Sequence, residues 1–156
     1  MTKAPEVIEF SGDARAEFVA VTRALAEHRD GWVNLSPRVD PERLPPTGFG
    51  GIFSARGPAI PLATWVPATT SRKGAATTSL GLQHPLGCQV SRRLLELGIA
   101  VPAGYRIVTD NPKRGLVMES AVAGDPDEVA DWMIRASGGL SPIEFDQMWV
   151  AAIVRY

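Results

Sequence analysis

Apolar positions recur along this chain with two spacings, and the change from one to the other marks out the elements. Between Asp13 and His28, the residues Phe18, Val21, Thr22 and Leu25 fall on one side of a helix and predict a narrow amphipathic one. Ser11 and Asp13 are its candidate caps and Gly31 its stop. Trp32-Val33-Asn34-Leu35 reads as a short strand. Pro37, Pro41, Pro45 and Pro46 end it and exclude regular structure as far as Gly51. Ile52 to Ala55 and Ile60 to Val66 read as two further strands around an Arg56-Gly57-Pro58-Ala59 turn. Pro61 either confines the second strand to a sheet edge or delays its start. From Pro67 to Ser79 no apolar period is visible, so this segment is expected to be a loop.

The second half is richer in signals. Leu80 to His84 predicts a short strand, and Pro85 suits the first turn of a helix whose apolar side is Leu86, Val90, Leu94 and Leu97, closed by Gly98. Tyr105 to Thr109 and Leu116 to Val122 read as a hairpin turning through Asp110 to Gly115. Asp125-Pro126-Asp127-Glu128 is a helix start: the Asp125 carboxylate can accept from free amides, Pro126 lacks the N–H that would go unbonded there, and Glu128 can reach back. Val129, Trp132, Met133 and Ala136 form its buried side, Gly138-Gly139 its end, and Met148 to Val154 a final strand. Residues 80–156 therefore spell β-α-β-β-α-β, the order of a split βαβ or ferredoxin-like unit. The alternative is another sheet in which the strand at 60–66 also takes part. Both are α+β, an antiparallel or mixed sheet with helices on one face.

A length of 156 residues suits one domain, with an N-terminal helix and short strands over 1–79 and the candidate βαββαβ unit over 80–156. Hydrophobic residues at 45% against 21% charged exclude wholesale disorder. The candidate aromatic core is Phe10, Phe18, Trp32, Phe53, Trp65, Trp132, Phe145 and Trp149. One cysteine, Cys88, forbids an intrachain disulfide and points to a reducing compartment. The Met1 to Glu6 start lacks the apolar core of a secretory signal, and the apolar run from Trp149 to Val154 is far short of the roughly 20 residues that span a bilayer. The expectation is a cytoplasmic protein with no membrane association.

The net charge of −1 conceals a strong division. Residues 1–50 carry six basic and eight acidic groups, residues 51–115 eight basic and two acidic, and residues 116–156 two basic and seven acidic. A basic middle attracts anions, or it faces the acidic tail of the same or a second molecule. Six of its cations, Arg72, Lys73, Arg92, Arg106, Lys113 and Arg114, are the candidate anion-binding set. Arg72 and Lys73 lie in a hydroxyl-rich loop suited to phosphate or carboxylate, but the glycine spacing of a phosphate loop is absent.

Catalytic templates fit less well. His84 and Cys88, four residues apart, would share a face if the helix began at His84, and the helix dipole would then lower the thiol pKa. A zinc site lacks ligands, since His28 is the other imidazole and there is no second thiol, so neither metal nor cofactor is expected. Glu119 would be a notable carboxylate if it pointed inward. Nucleic acid is disfavoured: Lys113-Arg114-Gly115-Leu116-Val117-Met118 has Leu where a stacking aromatic belongs, and the pI is near 6.1. The sequence thus points to a binding or accessory module that recognises a protein partner or a small anionic ligand through the basic middle. Homodimer formation by sheet pairing is a secondary expectation. The alternatives are a small enzyme using Cys88 with His84, or an anion pocket with Glu119 as base, and an interaction protein marked by a large exposed apolar patch.

Overall fold

The computed structural model describes residues 3–43, 59–70, 76–85, 87, 89–122 and 124–156. In chain order the elements are β1 (Glu6–Ser11), α1 (Ala16–His28), β2 (Gly31–Pro37), a 3-10 turn (Pro41–Arg43), β3 (Leu62–Thr70), β4 (Ala76–Gln83), α2 (Val90–Glu96), β5 (Arg106–Asn111), β6 (Gly115–Ser120), α3 (Pro126–Gly139) and β7 (Met148–Arg155). The strands form one antiparallel seven-stranded sheet in the order β1-β7-β2-β3-β4-β6-β5. The class is α+β.

The β-α-β-β-α-β order of the second half is present, and β4, β6 and β5 are neighbours as a ferredoxin-like unit requires. Its last strand is not beside its first. β7 pairs with β1 and β2, and the β2–β3 pair separates it from β4. Strands from both halves of the chain thus interleave in one sheet.

Alternation decides which face is covered. On β2 every second residue from Gly31 to Pro37 is buried, and Val33, Leu35, Ala63, Trp65, Leu80, Leu82, Leu116 and Met118 turn to the same side. Onto them pack α1 through Phe18, Thr22 and Leu25, α3 through Val129, Trp132, Met133 and Ala136, and α2 through Val90 and Leu94. At one end Phe10 stacks on Phe18 with centroids 5.0 Å apart, and Phe145 meets Trp149 edge-on at 5.0 Å. The Trp149 indole donates to the Ser137 hydroxyl, which itself bonds the Met133 carbonyl. Phe10, Phe18, Trp65, Trp132 and Trp149 are core residues as expected, and Phe145 is partly buried against them. Trp32 is not: it lies on the opposite face of the sheet. Phe53 falls outside the described residues.

Three local readings change. Glu6 to Ser11 forms an edge strand that the sequence did not suggest; its inward residues are Ile8 and Phe10 only, too short an alternation to stand out. The segment Pro67 to Ser79 is not one long loop. β3 continues to Thr70 and β4 starts at Ala76, with a bulge between Val66 and Thr69 and the Thr78 hydroxyl on the Pro67 carbonyl. Gly31 lies inside β2 rather than ending α1, which stops at Arg29 in the left-handed conformation (φ 53°). A Cβ at Gly31 would run into the Val154 carbonyl, so the β2–β7 approach requires glycine. The strand expected at Ile52 to Ala55 lies outside the described residues.

Candidate functional site

Helix α2 begins at Val90, not at Pro85, and this rearranges the chemistry around it. Gln89 precedes it in the left-handed conformation (φ 61°) and contributes no side-chain cap. The cap comes from another element. Asp110, near the end of β5, accepts from the Val90 and Ser91 amides, each at 3.2 Å, and from the Ser91 hydroxyl. One carboxylate thereby satisfies two of the amide donors that a helix start leaves free. His84 and Cys88 both precede the helix, so they do not share its first turn. His84 is buried at 1% exposure; burial lowers its pKa, and the Asp110 charge pulls the other way. Cys88 lies outside the described residues.

The Asp110 tether also positions cations. Arg92 and Arg93 follow directly after the two capped amides. Lys113 and Arg114 follow Asp110 in the β5–β6 turn, where both their amides donate to the Asn111 side-chain oxygen at 3.1 and 2.9 Å. Gly115 completes the turn with φ 74°, pressed against the Leu82 carbonyl. All four cations are exposed and leave from two short stretches that meet at one carboxylate. Arg92 reaches Glu96 one turn on, at 3.7 Å, an exposed pair of little energetic weight.

Arg106 does not join them. It starts β5, five residues before Asn111, so about 17 Å of strand separates it from the turn. It stands opposite Glu119, which shares the outward side of β6 with Val117 while Met118 and Ser120 are buried. Glu119 is therefore not an inward-pointing carboxylate. Arg72 and Lys73 fall outside the described residues.

A cleft of about 530 Å³ opens elsewhere, between the segment after β2 and the one before β7. It is lined by Arg38, Arg43, Asp40, Glu144, Asp146 and the apolar Val39, Pro41 and Phe145; Arg92, Arg106, Lys113 and Arg114, the expected cations among the described residues, do not line it. Arg38 spans Glu9 at 3.0 Å and Asp146 at 2.6 Å; these hydrogen bonds raise its pKa and hold Asp146 below the usual carboxylate range. Arg43 donates to the Glu144 carbonyl at 3.1 Å. The cations of this cleft are thus largely committed within the protein.

Among the described residues no group of three or more His, Cys, Asp or Glu converges to hold a metal, and no helix is long and apolar enough to cross a membrane. Comparison of the chain with protein-family models, with curated proteins and with solved structures gave no match.

Proposed function

We propose that the protein is a binding module that docks an acidic surface or segment of a protein partner at the corner built by Arg92, Arg93, Lys113 and Arg114. The observation that carries this reading is the Asp110 tether, which joins the start of α2 to the β5–β6 turn. On this reading the four side chains act together, with Asp110 and Glu96 as the carboxylates beside them. Exposed arginines and lysines contribute chiefly to association rate and to the choice of partner. Arg92 and Arg93 can also engage carboxylates through two parallel hydrogen bonds.

The test is binding of a fluorescent Glu-rich peptide, followed by anisotropy at low and moderate salt. Lys113→Glu with Arg114→Glu is expected to weaken binding at least tenfold, and Arg93→Glu several-fold. Arg106→Glu is expected to leave binding within about twofold, since that residue is remote from the corner. Equal loss from Arg106→Glu, or unchanged binding by the turn variant at low salt, overturns the reading.

A further inference from the structure

The cleft beside Phe145 joins the end of β2 to the start of β7, whereas the docking corner belongs to β5 and β6 at the other side of the sheet. Bonds that cross between its two walls hold them in place. The Arg38 amide donates to the Met148 carbonyl at 2.7 Å, and the Arg38 guanidinium is held by Glu9 and Asp146. Arg43 reaches across to the Glu144 carbonyl. Within the walls, Asp40 accepts from the Glu42 amide on one carboxylate oxygen at 3.0 Å, and Asp146 accepts from the Met148 amide at 3.2 Å. Walls tied in this way need little ordering when a ligand enters. A volume of about 530 Å³ is of the size that holds small molecules.

The groups left over by these ties set the chemistry. Arg38 is spent on two carboxylates. Glu144 is engaged through its carbonyl, while its carboxylate makes no hydrogen bond or ion pair with any described residue. Asp40 keeps one oxygen in the same condition. With Glu9 counted beside the lining residues, two arginines face four carboxylates, so the cleft is net negative. Val39 and Pro41 supply apolar contact, and so does Phe145, whose ring is set edge-on against Trp149 and packs on the core. A bare metal ion would lack ligands, because no three His, Cys, Asp or Glu residues converge among the described residues. An anion would meet the two unspent carboxylates.

We propose that this cleft binds a small organic cation, an amine or guanidine on an apolar body, with its charge on Asp40 and Glu144 and its body against Phe145, Val39 and Pro41. The two carboxylates keep three unspent oxygens, as many as a primary ammonium has N–H donors. Hydrogen bonds between ionised partners are the stronger kind, and the apolar wall adds the area that an exposed ion pair lacks.

The probe is phenethylamine, and the control is benzoate, an aromatic ring carrying the opposite charge. In amide NMR spectra of the full chain at neutral pH, phenethylamine is expected to move the signals of Asp40, Arg43, Glu144 and Phe145 and to saturate at millimolar concentration. Benzoate is expected to bind at least about tenfold more weakly. Asp40→Asn with Glu144→Gln keeps the side-chain shapes and the acceptor for the Glu42 amide; it is expected to weaken the amine about tenfold with unchanged circular dichroism. Lys113→Glu with Arg114→Glu, which disables the docking corner, is expected to leave amine binding as it was, so the two readings fail separately. Signals at the cleft that never saturate, equal affinity for benzoate, or a double carboxylate variant that binds the amine as tightly as the unaltered chain overturns the proposal.

Discussion

The two ends of the helical layer are held by different means. Under α1 and α3 the contacts are apolar and aromatic: Phe18, Leu25, Met133 and Ala136 are fully buried, and Phe10, Trp149 and Phe145 extend the cluster. Arg15–Asp131 and Arg23–Asp127 join the two helices at their exposed sides. The α2 end has far less of this. Its helix spans seven residues, buries Val90 and Leu94, leaves Leu95 62% exposed, and depends on Asp110 at its start. At its far end the Gly98 carbonyl accepts from Arg135 of α3 at 3.1 Å. An end built on packing resists opening in proportion to the area it buries. An end built on a few polar tethers can open without the rest. The docking corner proposed above lies at the second kind of end.

Phe18→Ala should produce the largest effect. Removing a fully buried ring from the α1–α3 end is expected to cost about 3–5 kcal/mol, read as a lower midpoint in urea for the whole chain. If that variant loosened α1 alone and left the sheet intact, the contrast between the two ends would be wrong.

Asp110→Ala should cost less and act locally. It frees two helix-start amides and one hydroxyl, for about 1–3 kcal/mol. Hydrogen exchange is expected to show α2 amides losing protection while those of α1 and α3 keep it. Protection lost evenly over the molecule would show α2 to be an integral part of the larger core.

Acid should sharpen the same contrast. His84, buried beside the α2 end, has its pKa lowered from the ordinary 6.5 mainly by burial, with the Asp110 charge opposing. The unfolded chain therefore binds this proton more readily than the folded one. The stability involved is fully present above about 6.5 and is lost as pH falls from there towards the folded value. The urea midpoint is expected to fall between about pH 7.5 and 5.5, and the fall should be smaller in His84→Gln. An equal fall in both proteins would assign the acid sensitivity to other groups.

The contrast also describes what could be read from the residues. The α3 start was legible because every signal there is local: Asp125 accepts from the Asp127 amide at 2.9 Å, and Pro126 follows. Glu128 departs from the expectation by accepting from the Ala103 amide instead of reaching back, a partner 25 residues distant. The start of α2 was misplaced for the same physical reason. Pro85 offers a local start, but the cap that wins is a carboxylate 20 residues away on β5. Strand order was beyond local pattern too. Nothing in Met148 to Val154 states that β7 pairs with β1 and β2 rather than β4, because β-branched runs fix a strand and not its neighbour. The basic segment was visible as composition. Its division into a corner at Asp110 and a separate Arg106 required the length of β5.

The count of strands has a consequence for solubility. In an antiparallel sheet of seven, the first and last members, β1 and β5, point the same way. Copies laid side by side in one orientation would have to join through a parallel ladder, which is the weaker kind per residue. The irregularity between Ile107 and Thr109 spoils half of that seam. Strand direction and one misplaced residue thus both work against end-to-end growth into fibres.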